Sequence, residues 1–238
     1  LSDLLTLSRA AVAPLWSGLD LGVRPGEFLT VLGPNGVGKS TLLAAIMGTR
    51  ALSAGEIRRH PDLGRPGYIP QQRMFPADLP LRVRDLVSLA LAHGSARRRA
   101  PSRARVDAAL AAVGASGLAD HPAGRLSGGQ QQLVRQAQAL AGRPRLVLAD
   151  EPLLSLDPAA QAATVARLDA YRRENEAAIV FITHGINPVL GVTDRVLYLA
   201  PHGHLVGTVD EVMRSDALSA LYGARVDVAR VNGRLVVV

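Results

Sequence analysis

A chain of 238 residues, 48% apolar and 20% charged, can bury one sizeable core or a core with a satellite subdomain. It contains no cysteine, which excludes a disulfide framework and a thiolate metal site and suits a reducing cytosol. The formal charge of +7 invites a nucleic-acid or anionic-membrane surface. The basic residues are scattered, however, apart from Arg97-Arg98-Arg99 continuing to Arg103 and Arg105. With aromatics at 3% there are too few rings to build stacking platforms for single strands. A solvated arginine-rich segment is therefore favoured over a nucleic-acid site, and acidic lipid headgroups beside a membrane partner suit the charge equally well. No uninterrupted apolar run is long enough to cross a bilayer. The opening Leu1-Ser2-Asp3 lacks a basic segment followed by an apolar block, so no signal peptide is expected.

The 27 basic residues include one lysine only, Lys39. It lies in Gly33-Pro34-Asn35-Gly36-Val37-Gly38-Lys39-Ser40-Thr41, directly after the apolar run Phe28 to Leu32 and before Leu42-Leu43-Ala44-Ala45-Ile46. This is strand, G-x-x-x-x-G-K-[ST] loop and helix in the order a phosphate-binding loop requires. Glycines let backbone amides turn inward around an anion, and the helix N-terminus adds positive potential. A compact ammonium fits among those amides where the larger guanidinium fork does not. Lys39 is expected to reach the β- and γ-phosphates of a bound nucleotide, with the Ser40 hydroxyl placed for Mg²⁺.

Residues 73–141 read as helical. Val83 to Leu91 is apolar and Arg103 to Val113 is Ala-rich and amphipathic, with Pro76, Pro80 and Pro101 as punctuation and Gly114 and Gly117 closing the second helix. Within this stretch Leu126-Ser127-Gly128-Gly129-Gln130 forms a capping box, Ser127 at the N-cap and Gln130 reaching back. A helix start with two bare glycines is also an anion site. Since the chain already holds one phosphate loop, a second suggests contact with nucleotide held by another copy.

Leu146 to Ala149 runs into Asp150-Glu151, and Ala178 to Thr183 runs into His184. Apolar runs of this length suit strands of a parallel sheet covered on both faces, and such sheets bind ligands beyond their carboxyl ends. Asp150 suits the outer sphere of Mg²⁺ and Glu151 can polarise a water; the structural alternative is an acidic pair capping a helix. Further on, Arg195 to Leu199 reads as a strand, 210–222 as a helix, and Val226 to Val238 as a hairpin around Asn232-Gly233.

Taken together these motifs resemble the nucleotide-binding subunit of an ATP-binding-cassette (ABC) transporter, in the family's order over essentially the whole chain. Gly33 to Thr41 is similar to the Walker A loop, Leu126 to Gln130 to the signature, Leu146 to Glu151 to Walker B, and Ser155-Leu156-Asp157 to the D-loop. Gln71, after Pro70, resembles the Q-loop glutamine, with Gln72 as a neighbouring competitor, and His184 resembles the switch histidine. The resemblance implies an α/β fold of P-loop NTPase (RecA-like) type: a mostly parallel sheet, an inserted helical subdomain and small antiparallel β elements. It implies one domain, with core 1–72 and 142–209, helical signature subdomain 73–141 and C-terminal helix and hairpin 210–238. Glu151 would be the general base, His184 would contact the γ-phosphate, and Gln71 would sense Mg²⁺ and report to a membrane partner. Ser127 and Gly129, flanked by Gly128 and Gln130, would bind ATP across a head-to-tail homodimer whose two sites Asp157 links.

The sequence departs from the family pattern in three places. Ala10 stands where an aromatic usually stacks on adenine; Arg9 could stack instead, whereas Trp16 lies too close to the loop and reads as core. Leu133 and Gln138 stand where arginines are common, and Gly185 where an acidic residue is common.

Relatives with a long coiled coil, two cassettes or fused membrane spans do not match this length and pattern. What remains is a separate ATPase subunit, more often an importer's, at the cytoplasmic face of the cell membrane. The resemblance then implies an integral membrane permease and an extracytoplasmic substrate-binding protein as partners, with no nucleic acid. Pro70-Gln71-Gln72-Arg73, Leu79 to Leu86, and His184 to Leu190 resemble the corresponding segments of manganese/zinc-type importers. No histidine cluster has ligand spacing, so the chain itself is not expected to bind the metal. The alternatives are a soluble non-transport ABC ATPase acting with nucleic acid or as a regulator, and a nucleotide-gated scaffold. The Asp150-Glu151-His184 set argues against the scaffold.

Overall fold

The computed structural model describes residues 2–71, 74–92 and 102–238. The arginine cluster 97–99, Pro101, Gln72 and Arg73 lie outside them. In chain order the strands are β1 (Leu5–Val12), β2 (Trp16–Val23) and β3 (Phe28–Leu32), followed by helix α1 (Lys39–Met47) and strands β4 (Ala54–Arg59) and β5 (Gly67–Ile69). Helices α2 (Val83–Ala92), α3 (Arg103–Ala111) and α4 (Gly128–Leu140) come next, then β6 (Leu146–Asp150), α5 (Pro158–Asn175) and β7 (Ala178–Ile182). The chain continues through β8 (Arg195–Ala200), β9 (Gly203–Gly207), α6 (Val209–Val212), α7 (Ser215–Tyr222), β10 (Val228–Val231) and β11 (Arg234–Val237).

The main sheet has six strands in the order β5-β6-β7-β3-β8-β9. All neighbours are parallel except the last pair, β8 and β9. The three apolar runs seen in the sequence are thus adjacent central strands, and every residue of β3, β6 and β7 is buried. Continuous burial explains why these strands show no polar alternation, and their parallel register delivers Gly33, Glu151 and His184 to one edge. Against one face of the sheet pack α1 and the antiparallel sheet β2-β1-β4, through Leu42, Leu43, Ile46, Leu5 and Leu19. On the other face Phe28, Ile179 and Phe181 join an apolar cluster that continues into α2, α3 and α4 through Val87, Leu110 and Val134.

One buried ionic group fixes the far end of the sheet. Arg172 of α5, 8% exposed, pairs with Asp169 at 2.7 Å and Asp194 at 3.0 Å and donates to Gly26 O at 2.6 Å. Asp194 in turn accepts from the Phe28 amide at 2.7 Å. Removing one partner would strand a buried charge, so β3 enters the sheet at a fixed place.

The structure corrects one reading. The single helix expected over 210–222 is two helices, α6 and α7, broken at Met213 and Arg214. A capping box between Thr208 and Glu211 starts α6, while Met213 leaves helical geometry to bury its side chain in the core. The expected hairpin is present, with Asn232 and Gly233 both at positive φ, 49° and 76°, the geometry of a type I′ turn.

Candidate active site

The phosphate loop leaves β3 at Gly33, whose φ is 139° and where a Cβ would collide with the Leu199 carbonyl of β8. It ends at Gly38, φ 101°, the N-cap of α1. A Cβ there would lie 2.9 Å from the Trp16 ring. Glycine is required at both positions by conformation and by space. Trp16, 6% exposed, is core as expected, and its indole N–H also donates to Gly38 O at 3.4 Å. It props the loop, a role the sequence did not suggest. Lys39 is 6% exposed and its Nζ donates to Gly33 O at 2.8 Å and Pro34 O at 2.9 Å. Burial pushes its pKa down, opposed by the charges of Glu151 and Asp150. The loop is therefore curled around its own ammonium.

Ser40 Oγ donates to Asp150 Oδ1 at 3.0 Å, and the Tyr68 hydroxyl of β5 approaches Oδ2 at 3.5 Å. Desolvation raises the pKa of Asp150, with the Ser40 hydrogen bond as the main opposing influence. These hard oxygens at the loop exit fit Mg²⁺, which is held through one or two protein oxygens with water and phosphate completing its shell. Tyr68 was not singled out from the sequence, because nothing local links a tyrosine on an edge strand to an aspartate 82 positions away.

Glu151 follows at φ 48°, a left-handed residue outside β6 whose amide donates to Ile182 O of β7 at 3.1 Å. This turn aims its carboxylate back over the sheet edge. Oε2 pairs with His184 Nε2 at 2.8 Å and accepts from Gln71 Nε2 at 3.2 Å. Residues 71, 151 and 184, on three separate loops, thus meet on one oxygen. His184 is held on its N-terminal side by Thr183, whose amide donates to Val31 O and whose hydroxyl bonds both Gly185 O, at 3.1 Å, and Gly185 N, at 3.3 Å. Gly185, where an acidic residue is common, closes that small turn.

Lys39, Ser40, Asp150, Glu151, Gln71 and His184 form one cluster, while the other expected residues sit apart from it. Asn35 and Gly36 are exposed at the loop tip, Val37 is buried, and Thr41 lies in the first turn of α1. Ser127 caps α4, accepting from the Gln130 amide at 3.4 Å as Gln130 Oε1 accepts from the Ser127 amide at 3.0 Å. Ser127 and Gly129 are exposed, and a Cβ on Gly129 would meet nothing within 4 Å. Asp157 caps α5 by accepting from the Ala160 amide at 2.9 Å, so its carboxylate already has an intrachain task. Arg9 is exposed at φ 45° with its amide on Asp20 Oδ1 at 2.7 Å, and Ala10 is fully buried.

Behind the signature a row of glutamines does work the sequence did not reveal. Gln131 accepts from the Phe75 amide at 2.7 Å and donates to Leu126 O at 3.1 Å, and Gln132 donates to Pro152 O at 3.0 Å. Gln138, in place of a common arginine, donates to Leu86 O of α2 at 3.2 Å. Leu133 packs at the margin of the main apolar cluster. Arg135 stacks over Phe75, 4.4 Å from the ring centroid.

The fold and loop define a nucleoside-triphosphatase of the P-loop class. Comparison with known proteins narrows the class. Residues 16–154 match the family model described as ABC transporter. The chain is 38% identical over 220 residues to the zinc import ATP-binding protein ZnuC of Paracoccus denitrificans, covering 92% of this chain and 83% of that relative. It is 40% identical over 207 residues to the ZnuC of Cereibacter sphaeroides, covering 87% and 82%. A solved transporter described as of metal-chelate type, in an inward-facing conformation, superposes with a TM-score of 0.83 at 26% identity, covering 99% of this chain and 96% of that one. An ATP-binding cassette solved as a dimer in a post-hydrolysis state with ADP and Pi gives 0.73 at 27% identity, covering 86% and 98%.

This chain belongs to the ABC transporter family. It is an ATP-binding, ATP-hydrolysing subunit of that family, and the non-transport alternative is not favoured. Among the described residues no helix is long and apolar enough to cross a membrane.

Proposed function

We propose that this chain powers the import of a divalent transition metal, zinc foremost, through a separate membrane permease. It works as a head-to-tail homodimer on the cytoplasmic face of the cell membrane, with an extracytoplasmic binding protein delivering the metal. Support for the cargo comes from relatives named for zinc import and from a metal-chelate type transporter among the structural neighbours.

In this reading the backbone N–H groups from Asn35 to Ser40, with the Lys39 ammonium, cradle the triphosphate of ATP. Lys39 exchanges its carbonyl partners for phosphate oxygens, a trade assisted by their charge. Ser40, Asp150 and Gln71 would hold Mg²⁺, which would supply charge neutralisation during phosphoryl transfer. Glu151 accepts the proton of the attacking water, and His184 orients that water and the γ-phosphate. Ser127, Gly128, Gly129 and Gln130 present the exposed start of α4 to the γ-phosphate held by the other protomer, and Asp157 lies where the two sites communicate. The segment 73–141 acts as the helical signature subdomain, the core comprises 1–72 and 142–209, and 210–238 forms the C-terminal helices and hairpin.

The observation that carries this reading is the convergence of His184 and Gln71 on one Glu151 oxygen, at 2.8 and 3.2 Å, beside the Lys39–Ser40–Asp150 cluster. Glu151→Gln keeps the shape but removes the base. Turnover is expected to fall about 1,000-fold while ATP binding persists and a nucleotide-bound dimer accumulates. Hydrolysis at the unsubstituted rate would reject Glu151 as the base. Zinc uptake into vesicles carrying the chain with its permease, lost in the same variant, tests the cargo.

A further inference from the structure

The hairpin β10–β11 pairs with no strand of the main sheet, yet it is tied to the chain at both of its edges. On one edge Ser215 and Ser219, one turn apart on α7, exchange hydrogen bonds with Val228 at the start of β10 and with Val226 two residues before it. Ser215 Oγ donates to Val228 O at 3.4 Å and accepts from Val228 N at 2.9 Å; Ser219 Oγ donates to Val226 O at 3.1 Å and accepts from Val226 N at 2.9 Å. On the other edge the Asn187 carboxamide donates to Leu235 O and accepts from Leu235 N, both at 2.8 Å. That side chain reproduces the paired bonds of a neighbouring strand. It stands three residues after His184, in the same loop.

A cavity of about 470 Å³ is lined by His184 and Asn187, by Leu235 and Val237 of the hairpin, and by Gly33 and Pro34 of the phosphate loop. Leu235, 7% exposed, bridges the hairpin to this loop through its two hydrogen bonds with the Asn187 carboxamide. Past Thr183, the loop is held by buried Ile186 and Val189, 4% and 0% exposed, and by the Asn187 clamp, the hold nearest His184 that reaches the hairpin.

We propose that Asn187 is a positioning residue for His184, through which the C-terminal hairpin fixes the 2.8 Å contact between His184 and Glu151. The end of the chain then sets the hydrolysis rate without touching nucleotide. The proposal rests on the hydrolytic role of His184 given above. Truncating the amide frees the loop and leaves the Leu235 backbone groups without their partner. A displacement of about 1 Å at a group that orients reactants is enough to cost one to two orders of magnitude in rate.

The test is steady-state ATP hydrolysis by the full chain, alone and with its permease, for Asn187→Ala, the pair Ser215→Ala with Ser219→Ala, and His184→Ala. Circular dichroism confirms that each is folded. Asn187→Ala is expected to lower kcat roughly 10-fold, and the serine pair, which loosens only the far edge of the hairpin, roughly 3-fold. KM for ATP should stay within about twofold in both, since the phosphate loop is untouched. An unchanged kcat in either variant overturns the proposal, as does a KM that rises in step with the loss of kcat. Should Asn187→Ala fail to fold, the serine pair decides alone on the same criterion. If His184→Ala hydrolyses ATP at the full rate, the role of His184 itself falls, a result distinct from failure of the clamp.

Discussion

At the start of α1 the loop from Gly33 to Gly38 wraps a buried ammonium, and each constraint on it comes from within the chain: the Leu199 carbonyl, the Trp16 ring, the Gly33 and Pro34 oxygens. At the start of α4 the residues from Ser127 to Gln130 are also glycine-tipped, but Ser127 and Gly129 face solvent with only the capping box to organise them. Both are helix N-termini with bare amides and positive potential. The first is a concave seat that can hold an anion by itself, while the second is a convex tip that needs a surface to press against. The contrast teaches that glycine serves two ends here, tolerance of close approach in one place and an unobstructed face in the other.

If that contrast is sound, adding a side chain should harm the two sites differently. Gly38→Ala places a methyl group against Trp16 in a left-handed conformation and should cost about 2–3 kcal/mol of stability. Thermal melting should shift downward and ATP affinity should fall with it. Gly129→Arg meets open space, so the folded monomer should melt within a degree or two of the unsubstituted chain. Hydrolysis should nonetheless drop at least roughly 30-fold, because the face needed by the other protomer is blocked. Retained turnover in that variant would break the comparison. The smallest effect belongs to Ser127→Ala, which removes the cap of α4 and should cost about 1 kcal/mol of stability, read as a modest shift in urea midpoint.

What could be read from the sequence was what lies close together along it. The phosphate loop, the Ser127 capping box, the three buried strands and the Asn232-Gly233 turn each depend on neighbours within a few residues, and each is found in the structure. The division of 210–222 into α6 and α7 was missed because periodicity continues across Met213, and only the core explains why its side chain leaves the helical path. Tyr68 with Asp150, Trp16 with Gly38, Gln132 with Pro152 and Asn187 with Leu235 are separated by 82, 22, 20 and 48 positions. Such pairs are set by strand order and loop geometry, which spacing does not encode. The meeting of Gln71, Glu151 and His184 was inferred from resemblance, and the structure gives it a physical basis in the adjacency of β5, β6 and β7.

The single lysine has a practical corollary. Because the whole sequence contains one ε-amine, and that amine is 6% exposed with a lowered pKa, acylating reagents aimed at lysine have one side-chain target in 238 residues. The rate at which that position is modified is a direct clock for opening and occupancy of the phosphate seat, readable by peptide mass mapping, which separates it from the α-amine, without engineering a label into the protein.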